Sequence, residues 1–388
     1  MAWIGRKKIA FIPLYRPNAM PLPDQIPADW PNQILRRVLF DPDPTIQADR
    51  SLRAYIQAAS SGRADLDAVV MPMQVLDQQD VPPDVFEGQL GSQLRDEGFN
   101  AAALVMLGQP PTGQGELGGF WARFDMSEAL GVWAMELMHV LTGFTDLYTF
   151  GGNMGPFDNM ACGCGTHPSA YTKAAIDWLN ASAIAKHTGG TAEYALHAVG
   201  LDQPPPSGRW TAIRIGSKVP YLMVEARLMV DQFESKSQLE PGIPSQGVIV
   251  YRVQTSDPHG IAQNDIAPIQ LLTLTSAQKP TALQVGQAFT SDTHVTVSVT
   301  GTIPGGFLVV VRPPLGGLPV RAPVTAVARK PGQLDIWVVA KDGKVWSAAW
   351  SEASGWSNWF SLDAPPGGFA AGAPVAAVAR KPEQLDIW

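Results

Sequence analysis

Residues 133 to 148 read Trp-Ala-Met-Glu-Leu-Met-His-Val-Leu-Thr-Gly-Phe-Thr-Asp-Leu-Tyr. A His-Glu-x-x-His helix places two imidazoles one turn apart on one face, where they grip a zinc ion while the Glu handles water. Here Met135 stands at the first His position, with Glu136 and His139 in place. A thioether is a soft, weak donor where a good nitrogen donor belongs. The chemistry on offer is zinc-assisted hydrolysis with one ligand replaced, so catalysis is in doubt from the outset. Taken alone, x-Glu-x-x-His is more often part of an ordinary buried helix, and the surroundings must decide.

The helix that carries these residues is well signalled. Ser127 is a candidate N-cap with Glu128 in the first turn; apolar residues recur at Leu130, Trp133, Ala134, Leu137, Met138 and Leu141, and Gly143 is a stop. Downstream, Phe157-Asp158-Asn159-Met160-Ala161 precedes Gly165-Thr166-His167-Pro168-Ser169-Ala170-Tyr171-Thr172-Lys173. Upstream lie Ser51-Leu52-Arg53-Ala54-Tyr55 and Ser60-Ser61-Gly62-Arg63; further on lie Tyr221 to Arg227 and Gly247 to Val253.

These segments, in this order, resemble the immune-inhibitor-A-like zinc metallopeptidases over roughly residues 8 to 255. The resemblance implies an α+β, zincin-like fold, and Tyr221 to Arg227 and Gly247 to Val253 are similar to the paired strands of that family. It makes Glu136 the general base, His139 the second zinc ligand, Asp146 an acidic third ligand and Met160 the Met-turn residue that packs under the metal. Thr142 precedes Gly143 where the family has its glycine one place earlier, which leaves the register of Asp146 open. With Met135 at the first position, at most two of the three usual protein ligands remain. Zinc is therefore expected to bind weakly or not at all, and the expected role is a pseudoenzyme that binds a polypeptide or protein partner. The alternatives are an active secreted zinc endopeptidase with an altered ligand set, and a structural or assembly protein.

Cys162 and Cys164 follow Met160 closely, with His167 behind them. Thiolates bind zinc readily and offer a substitute ligand, although two small free thiols in a glycine-rich turn are the plainer expectation. A disulfide across a single intervening residue is not expected.

At 388 residues with a net charge of −7, the chain has room for two or three domains. No lysine and arginine run extends beyond Arg6-Lys7-Lys8, so no nucleic-acid partner is expected. No apolar stretch is long enough to span a bilayer. Ile9 to Tyr15 superficially resembles a secretion signal, but it contains Pro13 and runs into Arg16 without a small-residue cleavage site, so it is read as the first strand of a sheet. The family resemblance implies an extracellular location; no signal peptide is recognisable. Asn180-Ala181-Ser182 fits a glycosylation acceptor, a triplet that arises often by chance. His187, His197, His259 and His294 are expected to be surface or core residues.

A different module begins near residue 320. Ala322 to Trp337 recurs as Ala373 to Trp388 with fourteen of sixteen positions identical and a period of 51. Between the repeats lie short alternating strands with Asp342-Gly343 as a hairpin turn, the pattern of a propeller blade. The wording Asp-Ile-Trp-Val-Val followed by Gly-Trp-Ser-x-Trp-Phe resembles the fucose-binding lectins with seven-bladed propellers related to the Photorhabdus lectin. That resemblance implies glycans, fucose among them, as partners, with Trp346, Trp350, Trp356 and Trp359 as candidate sugar-stacking residues. The expected organisation is a zincin-like domain over 1–183, a β-rich extension or sandwich over 184–312, a linker over 313–320, and one blade with the start of a second over 321–388.

Overall fold

A computed structural model describes residues 2–388 except 16–25, 44–47, 76–82, 108–112, 189, 237–241, 258–265, 293–294, 313–320, 354, 358, 363 and 383. The expected linker, His259 and His294 lie outside the described residues. The fold is α+β and dominated by sheets. Its chain divides into two compact units: residues 1–186, 195–285 and 301–307 form the first, and 187–194, 286–300 and 308–388 the second.

In the first unit the elements run β1 (Gly5–Tyr15), α1 (Trp30–Leu39), α2 (Leu52–Ala59), β2 (Ala64–Val70), α3 (Pro83–Asp96), β3 (Ala101–Met106), β4 (Gly113–Gly115), β5 (Trp121–Asp125), α4 (Leu130–Thr142) and α5 (Ala170–Ala175). Strand β1 is the strand expected from Ile9 to Tyr15. It pairs in parallel with β2 and with β3, β3 pairs in parallel with β5, and β4 closes the edge antiparallel to β5. A central strand with both faces covered reads as a continuous apolar run. Accordingly Ile9, Phe11 and Tyr15 enter one core while Ala10, Ile12 and Leu14 enter another on the opposite face.

Helix α4 is apolar nearly all round, and every residue but Val132 is buried. Such a helix belongs inside the core. Trp133 anchors it to the sheet by stacking on Phe124 of β5, with ring centroids 4.2 Å apart. Its C-terminus is as expected: Gly143 adopts φ 72° and its N–H reaches the carbonyl of His139. The start differs. Ala129 occupies the N-cap position and makes no side-chain cap, and Ser127, two residues earlier, donates its hydroxyl to Asp125 Oδ1 at 2.6 Å.

The first unit is completed by an antiparallel sheet of β6 (Ala212–Ile215), β7 (Tyr221–Arg227), β8 (Gly247–Val253) and β9 (Ile269–Leu271). The β7–β8 pair matches the paired strands that the family resemblance implied.

In the second unit, Ala288–Thr290 pairs antiparallel with residues 296–298. Further along, Thr325–Lys330, Gln333–Val339 and Val345–Ser351 form consecutive antiparallel pairs, and Gly355–Trp356 and Phe360–Leu362 both pair with Val345–Ser351. The sequence repeat is also a structural one. Ala377–Lys381 pairs with Gln384–Ile387 with its register shift at the same place, and the bidentate Arg329 to Asp335 ion pair recurs as Arg380 to Asp386. Trp337, Val339 and Val345 of the first repeat share a core with Val375, Leu385 and Ile387 of the second.

Candidate functional site

Helix α4 brings Glu136 and His139 to one side and leaves both nearly inaccessible, with exposures of 5% and 4%. The His139 ring is held at both nitrogens: Nδ1 lies 2.6 Å from the carbonyl oxygen of Phe144, and Nε2 lies 3.0 Å from Asp146 Oδ1. The Gly143 turn produces this, because it folds the chain back under the helix and returns residues 144 to 146 to the His139 ring. Asp146, whose register the sequence left open, thus joins His139. Burial opposes a charge on His139, but the Asp146 hydrogen bond and its negative charge outweigh it and raise the imidazole pKa.

The Glu136 carboxyl makes no hydrogen bond among the described residues. Burial raises its pKa to about 7; the His139 charge opposes the rise, and Asp146 and Glu128 add to it. A carboxyl tuned to that range is suited to proton transfer near neutral pH. The edge strand β4 lies directly on this part of the helix. A Cβ on Gly113 would come within 2.5 Å of Glu136 Oε1, and one on Gly115 would strike the Glu136 carbonyl. Glycine is what permits this approach.

Met135 is 5% exposed. Its terminal methyl carbon lies 3.5 Å from where a Cβ on Gly163 would stand, so the thioether is packed against the loop that follows. That loop is clamped to α4 by Asn159, whose Nδ2 donates to the Gly131 carbonyl and whose Oδ1 accepts from Gly165 N–H, both at 2.9 Å. Met160 is wholly buried and accepts at its carbonyl from Leu147 N–H, which places it beneath the segment carrying Asp146. Cys162 and Cys164 form a disulfide, contrary to the expectation of free thiols. Gly163 between them adopts φ 60°, a left-handed conformation open to glycine, and the two Cα atoms stand 5.1 Å apart, within ordinary disulfide range.

A buried ionic network that sequence reasoning missed fixes this loop from behind. Arg227 of β7 is fully buried and pairs with Glu225 at 3.1 Å and Glu234 at 2.5 Å. Its remaining N–H groups donate to the carbonyls of Phe157 and His167. Glu225 in turn accepts from Ala170 N–H at the start of α5 and from the Tyr251 hydroxyl. His167 Nε2 meets Asp231 Oδ2 at 2.6 Å, and Lys173 Nζ, its pKa lowered by burial to about 8, donates to the Val199 carbonyl. Glu225 and Arg227 are two residues apart, hence on one face of an otherwise apolar strand. That spacing was the available signal.

Of the candidate sugar-stacking residues, Trp346 is 7% exposed and directs its indole N–H to Asp342, so most of it is packing. Trp359 is half-buried and packs on the same small core. Trp350, also half-buried, pairs across the sheet with Trp356, whose side chain lies outside the described residues. Trp346 and Trp359 thus enter a core, and the backbones of Trp350 and Trp356 pair across the sheet.

Among the described residues no three His, Cys, Asp or Glu side chains are grouped to hold a metal, and no helix is long and apolar enough to cross a membrane. No protein-family model matches the chain, and a search of curated proteins finds no match either.

Proposed function

We propose that the chain is a metallopeptidase-like protein, zincin-like in its first unit, whose zinc site is impaired. On this reading it binds a polypeptide without efficient cleavage, and its blade-like repeats direct it to glycans outside the cell. One observation carries the first part: Met135 is packed into the Gly163 loop where an imidazole would have to face the ion. Beside it, His139 Nε2 lies against Asp146 and Nδ1 against the Phe144 carbonyl, so an ion at Nε2 would have to displace the Asp146 contact. Support for the second part is the repeated Arg–Asp hairpin with its tryptophans. One feature favours an active enzyme instead, the Glu136 carboxyl held near neutral pKa beside His139.

Metal content and cleavage separate the two. Purified protein given equimolar zinc and then dialysed is expected to retain well under one ion per chain and to leave denatured casein intact, while Met135→His gains zinc. Stoichiometric zinc in the unaltered chain, with casein cleavage abolished by Glu136→Gln, would overturn the pseudoenzyme reading. For the repeats, a glycan array should show fucosylated ligands bound by the chain and lost on Trp350→Ala.

A further inference from the structure

Three sulfur-bearing residues border Gly163 in the first unit. Cys162 and Cys164 flank Gly163, and the methyl end of Met135 reaches Gly163 from α4. Both cysteines are half-buried, so the pair is accessible to a small reagent, whereas Met135 is inside. The backbone that presents the cysteines is fixed independently of the S–S bond. Asn159 accepts at its carbonyl from Gly163 N–H at 2.8 Å and at Oδ1 from Gly165 N–H, and it holds the Gly131 carbonyl on the helix. Cleaving the disulfide therefore leaves two thiols two residues apart on a preset loop, which the methyl end of Met135 touches at Gly163 between them.

We propose that the reduced chain is a soft-metal site which takes one Cu(I) through Cys162, Cys164 and the thioether of Met135. Thiolate and thioether sulfurs select soft ions such as Cu(I) over hard cations, which want oxygen ligands. The exchange balances with a dithiol reductant. The reductant gives two electrons and two protons to the disulfide and is itself oxidised to a disulfide; the Cys162–Cys164 S–S bond breaks and two thiols form. Cu(I) then displaces both thiol protons as the two Cu–S bonds form, and the Met135 sulfur adds as a neutral third ligand. On this view the methionine in place of histidine is a change of metal class as well as the loss of a zinc ligand. The inference does not rest on the peptidase reading, since a chain that never bound zinc would still carry this set.

The test uses the full chain reduced with a dithiol, freed of reductant under anaerobic conditions and titrated with Cu(I) against bicinchoninate as competitor. One equivalent is expected to bind, with only sulfur neighbours in the copper X-ray absorption spectrum. Cys162→Ser with Cys164→Ser should abolish binding, and the oxidised chain should take none. Met135→Leu, which keeps the packing volume, should weaken affinity at least about tenfold, the loss that even an outer-shell partner of a metal ligand carries. Failure of the reduced chain to compete for Cu(I) would overturn the site, as would equal uptake by the double serine variant with an unchanged circular dichroism spectrum. Unchanged affinity in Met135→Leu would remove the thioether and with it the three-sulfur assignment.

Discussion

The Nε2 nitrogen of His139 lies 3.0 Å from Asp146 Oδ1, while its Nδ1 faces the Phe144 carbonyl. A neutral imidazole can donate from one nitrogen only, so a ring with acceptors at both is best satisfied as the cation. A metal would need one of these nitrogens free and deprotonated. Proton and metal thus compete for one atom.

The folded-state pKa of His139 is raised, and the sign of its effect on stability follows. Its stabilising contribution is fully present below the unfolded-state value and is lost as pH rises through the folded-state value. Asp146→Asn removes the acceptor charge that raises it. We expect the His139 midpoint, followed by NMR, to fall in Asp146→Asn, and the stability gap between wild type and variant to narrow as pH rises above the wild-type midpoint. An unmoved midpoint would contradict the pairing.

Gly131 marks the tightest contact between α4 and the loop beneath it. A side chain there would run into Gly165 N and the Gly163 carbonyl, both of them backbone. Backbone cannot swing aside as a flexible side chain can, so Gly131→Ala should cost about 3 kcal/mol in overpacking. Alanine returns roughly 1 kcal/mol in helix propensity, for a net loss of about 2 kcal/mol. Thermal unfolding checks this, and a variant as stable as wild type would show that the loop is not clamped at Asn159.

Much of the frame was legible because burial writes itself into apolar patterning. The run Ile9 to Tyr15 gave a central strand, the stretch Leu130 to Leu141 a buried helix, and Gly143 its end. Ser127 misled because the helix begins at Leu130, which leaves Ser127 two residues before the N-cap, where its hydroxyl donates to Asp125. The Cys162–Cys164 bond was not legible because it depends on the backbone angle at Gly163. The position of β4 was hidden as well: Gly113 and Gly115 look like loop glycines until a helix is found pressed against them. At the site, motif spacing paired Glu136 with His139, whereas the Asp146 contact required the turn at Gly143. For Arg227 and Glu225 the only signal was their two-residue spacing on an apolar strand, and nothing in the sequence tied Glu234 to them.

Trp337 and Trp388 occupy equivalent positions in the two repeats, 51 residues apart. Their surroundings differ sharply, with exposures of 2% and 70%. The hairpin of the second repeat supplies Val375, Leu385 and Ile387 to the core that encloses Trp337, and among the described residues no further hairpin does the same for Trp388. Truncating a fully packed tryptophan costs about 3–5 kcal/mol, whereas an exposed residue changes stability by no more than roughly 0.5 kcal/mol. Trp337→Ala should therefore lower the unfolding midpoint of the second unit and open it to limited proteolysis, and Trp388→Ala should do neither. Equal effects from both substitutions would mean that the second hairpin does not cover the first, and the repeat would then be one of sequence without shared packing.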